Sequence, residues 1–209
     1  MIAHGGKDVS TEPVSPLDLA VLRMHPLVHA VRHALRGRGV VVSQPRFTVR
    51  GWNGDLASPV GDLSALIDEL VARHGDIPVV LIGHSMGARA AFRAAGHPAV
   101  SAVAGLAPWL PREEPVAQLA GRRVLLAHGT LDMVTRPADT WAYAERARSV
   151  TEVATIEVRG GEHAMLRRAG LWHRLAADFS RLALGLPTSE GEVTAAFRET
   201  AAGQQRTVA

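Results

Sequence analysis

The five residues Gly83-His84-Ser85-Met86-Gly87 set a hydroxyl between two glycines, just after the apolar run 79–82 and just before an alanine-rich stretch. A serine at such a place either caps a helix or is held up as a nucleophile. The glycines weigh toward the second reading, because a side chain presented on a strained strand-to-helix turn needs flanks that let backbones pass closely. The pattern is G-x-S-x-G, although a glycine-rich turn before a helix also suits packing or anion binding. Two further loops supply partners. "HGTLDMVT" at 128–135 holds Asp132, and "RGGEHAML" at 159–166 holds His163. Serine, imidazole and carboxylate are what acyl transfer requires: a nucleophile, a base to take its proton, and an acid to orient that base.

Those loops act together only if the chain brings them to one place. Short apolar runs predict strands over 40–43, 79–82, 101–106, 124–127 and 153–158, and only about three residues precede His4 to make a first one. Between them, helical patterns predict helices over about 17–35, 59–73, 86–95, 138–148 and 164–184. Ser58-Pro59 opens the second of these, and Gly75 lies just past its end. Such alternation implies an α/β fold, a parallel (doubly wound) sheet flanked by helices. Functional groups of these sheets collect beyond the carboxyl ends of the strands. There the chain places His4-Gly5-Gly6-Lys7, the loop 44–57, the serine turn, "APWLP" at 107–111, and the two loops carrying Asp132 and His163. No internal repeat is present. The expected organisation is one domain over 1–187, then a polar tail over 188–209 with a short helix around 190–199 followed by disorder.

Ser85, Asp132 and His163 follow in the chain order of α/β-hydrolases. From His4 to about Leu184 the sequence resembles that superfamily, of the small serine-esterase or dienelactone-hydrolase-like kind. "HGTLDMVT" is similar to the family's H-G-x-x-D-x-x-V/T acid loop, and "GGEHAML" to its histidine loop. The resemblance implies that Ser85 attacks an acyl carbon, His163 moves the proton, and Asp132 orients the imidazole. It implies an oxyanion hole made by the amide of Met86 and one amide of the His-Gly-Gly loop, Gly6 being chosen and Lys7 the alternative. Only residues 109 to 121 separate the third strand from the next, so a minimal fold lacking a cap domain is expected. The family's first strands are missing, which leaves a sheet edge that a partner chain, as in a homo-oligomer, would cover. The implied reaction is cleavage of a small carboxylic ester, thioester or lactone through an acyl-enzyme. An acyltransferase or cyclase using the same acyl-enzyme, and a non-catalytic binder on this fold, are the alternatives.

Other residues receive lesser assignments. Trp52 and Trp109 follow strand ends and are placed in the substrate pocket, with buried packing as the rival reading. Lys7, the sole lysine, lies beside the oxyanion loop and is assigned to substrate as well. Asp139 is the rival acid. His84 fills the variable position of the serine motif, and His128 is expected to bond within its own loop. His25, His29 and His33 recur on one helical face, but Pro26 interrupts that segment and no carboxylate joins them, so no metal and no cofactor are expected.

Composition narrows the setting. With 209 residues, 47% of them hydrophobic and 21% charged, the chain can bury a core of its own. There is no cysteine, which excludes disulfides and thiolate metal sites. The formal charge is only +3 and the arginines are scattered, at most in pairs such as Arg122-Arg123 and Arg167-Arg168, which argues against nucleic-acid binding. No apolar run approaches the ~20 residues of a membrane helix. The opening "MIAHGGKDVS" has neither a charged nor an apolar leader region, so a cytoplasmic location and a small-molecule acyl substrate are expected.

Overall fold

Valine, leucine, isoleucine and alanine stand on both faces of the central strands, and those strands are accordingly covered on both sides. In β2 (Val79–His84) every residue is buried. Val80 and Ile82 enter one core layer, Val79 and Leu81 the other, as the two-residue period of a strand demands. The computed structural model describes residues 1–203 and 207–209. It joins β1 (Ile2–Ala3), β2, β3 (Val100–Leu106), β4 (Arg123–Gly129), β5 (Val153–Val158) and β6 (Thr207–Val208) into one parallel sheet, side by side in chain order. Their carboxyl ends lie along one edge, with Gly83 opposite Gly105 and Leu106 opposite Ala127. This α/β sheet flanked by helices is the architecture expected from the sequence.

Helices cover both faces. On one side α2 (Met24–Ala34), α6 (Ala169–Ala183) and α7 (Glu192–Ala201) bring Leu27, Val31, Trp172, Phe179 and Phe197 onto the sheet. On the other, α3 (Ser58–His74), α4 (Met86–Ala94) and α5 (Pro137–Ala147) bring Leu63, Ile67, Phe92 and Tyr143. Between β3 and β4 the described chain forms a loop with one short 3-10 turn, Ala117–Leu119, and nothing that resembles a lid. No helix among the described residues is long and apolar enough to cross a membrane.

Three expectations are corrected. Residues 40–43 form no strand. Ser43 accepts one hydrogen bond, from the amide of Ile2 at 2.9 Å, because β1 offers only two residues to pair with. The helix expected over 17–35 is divided at Arg23 into α1 (Leu19–Leu22) and α2. Pro26 does not interrupt it, since it occupies the first turn of α2, where a missing N–H leaves no bond unmade. The helix expected from 164 begins only at Ala169, because the Glu162 carboxylate engages the amides of Ala164, Leu166 and Arg167 and holds them in a loop. After Pro187 a short helix, α7, stands where one was expected around 190–199. α7 buries Val193, Ala196 and Phe197, β6 pairs with β5, and residues 204–206 lie outside the described residues.

Candidate active site

Ser85 sits between the last residue of β2 and the first of α4 with φ 55° and ψ −122°. A non-glycine residue held there costs on the order of 1–3 kcal/mol, so the surroundings must impose it. They do so by close approach. A Cβ on Gly83 would lie 2.4 Å from the Cα of Ala88, and one on Gly87 would lie 2.3 Å from the carbonyl oxygen of His4. Both glycines are therefore steric requirements of the turn that lifts Ser85.

The hydroxyl of Ser85 lies 3.0 Å from Nε2 of His163, and Nδ1 of His163 lies 2.8 Å from Oδ2 of Asp132. With Nδ1–H donating to the carboxylate, Nε2 keeps its lone pair for the serine proton. Asp132 is buried and its oxygens are saturated. Oδ1 accepts the amides of Val134 at 2.8 Å and Thr135 at 2.9 Å, while Oδ2 also accepts Nε2–H of His128 and the hydroxyl of Thr135, both at 3.0 Å. Burial alone would raise this carboxyl. The hydrogen bonds from His128, His163 and the two amides outweigh it and hold the group well below the usual carboxylate range. His128 is fixed from behind by the hydroxyl of Thr140, 2.7 Å from its Nδ1. It bonds within its own loop, as expected, and its partner there is the Asp132 carboxylate. Asp139, the rival acid, lies in the first turn of α5.

Two residues orient the histidine loop. Glu162 gathers three amides that follow His163, and His84 donates from Nε2 to the carbonyl oxygen of His163 at 2.8 Å. Burial, helped by the neighbouring His163, pushes the His84 imidazole down to about 3, so it is neutral. The roles of Thr135, Glu162 and His84 were not read from the sequence. The only signal for them was their presence inside or beside the three motif loops.

For an oxyanion, the amides of Gly6 and Met86 make no hydrogen bond within the described protein. The Lys7 amide, the alternative, donates to the Arg50 carbonyl at 2.8 Å. The Lys7 ammonium is exposed and stands 3.8 Å from Glu12. The tryptophans take different places. Trp109 is half-buried, donates its amide to the Ser85 carbonyl at 3.2 Å, and lines a 290 Å³ cavity with Thr135. Trp52 is buried and lines a separate 250 Å³ cavity with Asp8, Arg89 and Arg93. The Arg89 guanidinium lies 3.9 Å over the Trp52 ring and 4.6 Å over that of Trp109. Glu114, with a fully buried carboxylate, grips Arg89 at 2.6 Å and also Arg93. A cavity of 410 Å³ lies along residues 40–43 and touches none of the three motif loops. Among the described residues no group of three or more acidic or imidazole side chains is placed to hold a metal ion.

Comparison with known proteins adds the following. Residues 29–122 match the family described as serine aminopeptidase, S33. No curated protein matches the chain. A protein of unknown function from Agrobacterium tumefaciens has a similar structure, 17% identical over 90% of this chain and 93% of that one, with a TM-score of 0.63. Est1E from Butyrivibrio proteoclasticus, solved with ferulic acid bound, is 15% identical over 88% of each chain, with a TM-score of 0.62. An α/β serine hydrolase without lid from Xanthomonas campestris is 20% identical over 90% of this chain and 84% of that one, with a TM-score of 0.60. These solved structures show the fold that the chain shares.

Proposed function

The chain has the α/β-hydrolase fold without a lid, and from that premise we propose that it cleaves small carboxylic esters, thioesters or lactones through an acyl-enzyme. The observation that carries this reading is the unbroken line from the Ser85 hydroxyl through His163 to Asp132, at 3.0 and 2.8 Å, from a serine held at positive φ.

The chemistry follows from the atoms in place. Ser85 Oγ attacks the acyl carbon while its proton passes to Nε2 of His163. The resulting imidazolium is stabilised by the Asp132 carboxylate, whose depressed pKa keeps it ionised throughout. Negative charge grows on the former carbonyl oxygen and is met by the amides of Met86 and Gly6, already oriented and so requiring no reorganisation. His163 returns the proton to the departing oxygen or sulfur, and the acyl group stays on Ser85. Water then enters, gives its proton to His163 and repeats the sequence, releasing the acid. Trp109, beside Ser85, forms one wall of the substrate pocket.

The test is covalent labelling by a fluorophosphonate probe with turnover of nitrophenyl esters. Label on Ser85, and loss of both label and turnover in Ser85→Ala with the fold retained, is the expected result. Label retained in Ser85→Ala removes the nucleophile from this reading.

A further inference from the structure

The cavity beside Trp109 carries charge that the ester chemistry does not use. Its walls include Arg112, Arg136 and Asp139 as well as Trp109 and Thr135. Two of its lining residues contact the reacting pair. Trp109 bonds by its amide to the Ser85 carbonyl, and the Thr135 hydroxyl stands 3.1 Å from His163 Nδ1. Neither the Arg112 nor the Arg136 guanidinium has an ion-pair or hydrogen-bond partner among the described residues. Arg50, Arg89 and Arg93, by contrast, are each held by a carboxylate. Two free guanidinium groups on one small cavity repel each other unless an anion lies between them. Asp139 offsets one charge, which leaves the lining at a formal +1. The N-terminus of α5, an eleven-residue helix that starts at Pro137, adds the positive end of its dipole from the same wall. One carboxylate would bring the cavity to neutrality, and the planar fork of a guanidinium matches it in two parallel hydrogen bonds.

We propose that this 290 Å³ cavity is a carboxylate subsite, and that the substrate is an ester bearing one carboxylate away from the scissile carbonyl. The proposal rests on the reading of Ser85 and His163 as the reacting pair and names the class of substrate they meet. The indole of Trp109 packs along the chain or ring that joins carboxylate and ester. Arg112 and Arg136 contribute through substrate binding, so their effect falls mainly on KM.

The experiment uses two matched pairs. Mono-para-nitrophenyl glutarate against para-nitrophenyl pentanoate places the carboxylate on the acyl side. Para-acetoxybenzoate against phenyl acetate places it on the leaving group. In one pair the carboxylate member is expected to exceed its neutral match in kcat/KM by about tenfold at low salt, with the ratio shrinking as salt rises. Arg112→Gln and Arg136→Gln are each expected to bring that ratio toward one. A wild-type preference for the neutral member in both pairs overturns the subsite while leaving the hydrolase reading intact. Failure to turn over any of the four esters counts against the hydrolase reading instead. Calorimetric titration with glutarate and with benzoate then still decides the subsite. Binding that disappears in the double variant upholds it, and absence of binding to the wild-type protein overturns it.

Discussion

His84 donates from Nε2 to the carbonyl oxygen of His163 at 2.8 Å, with the two rings 4.9 Å apart. The residue next to the serine in sequence therefore holds the loop of the histidine 79 positions away. Because Nε2 is the donor, Nδ1 is a bare lone pair, buried and without a hydrogen-bond partner among the described residues. That arrangement penalises protonation and sets a pH dependence. The folded pKa of His84, about 3, lies below the unfolded value of about 6.5, so on acidification the unfolded chain takes up the proton first. Stability is therefore lost as pH falls from about 6.5 toward 3. His84→Gln is expected to flatten the dependence over this range by up to one proton, about 1.4 kcal/mol per pH unit. His4, His173 and the Met1 amine, also lowered by burial, and the depressed carboxyls of Asp132, Asp18 and Glu162 contribute to the slope that remains. Urea unfolding at several pH values measures it, and an unchanged slope in the variant contradicts the assignment.

Asp132 serves two imidazoles, so Asp132→Asn is expected to do two kinds of damage. An amide in place of the carboxylate favours the wrong His163 tautomer, and kcat is expected to fall by about 10³–10⁴. His128 loses its acceptor as well, with a stability loss of about 1–3 kcal/mol. Asp139→Asn is expected to cost far less in kcat on a neutral ester. The reverse ranking would transfer the role of acid to Asp139.

Ser85→Gly separates stability from activity. Glycine adopts φ 55° without steric cost, so the variant is expected to gain about 1 kcal/mol in stability while losing ester turnover. Thermal unfolding of Ser85→Gly beside Ser85→Ala, which keeps the strained conformation, measures the difference. Equal midpoints would show that the turn carries no strain.

The segment after Pro187 belongs to the fold. Phe197 stacks on Phe179 with ring centroids 6.4 Å apart and is buried against the sheet. Phe197→Ala is expected to cost about 3 kcal/mol in urea unfolding. Deleting the chain after Pro187 uncovers the edge of β5 together with this cluster and is expected to yield insoluble protein. A soluble, fully active truncation would show that α7 is dispensable.

Periodicity made the central strands legible, because β2 and β4 are buried on both faces and their centres read as unbroken apolar runs. Spacing and chain order drew Ser85, Asp132 and His163 into one candidate site. What stayed hidden depends on contacts between distant segments. Residues 40–43 have the composition of a strand, but β1 offers too short a partner. Residues 164–168 have a helical pattern, but Glu162 takes their amides. The tail reads as polar because only Val193, Ala196 and Phe197 face inward. Arg112 and Arg136 stand out only once folding brings the loops after β3 and β4 to one cavity.

Glu114 joins the loop after β3 to the middle of α4 through Arg89 and Arg93, and its carboxylate has no access to solvent. A buried carboxylate cannot exchange a guanidinium for water without a penalty of several kcal/mol, so the two segments do not come loose separately. They constitute one unit of local opening. In hydrogen exchange, the amides that follow Ser85 along α4 and those between Ala107 and Val116 are expected to share a single opening free energy. The backbone that presents the nucleophile and the loop that shapes its pocket thus keep a common clock: when one loses its form, so does the other.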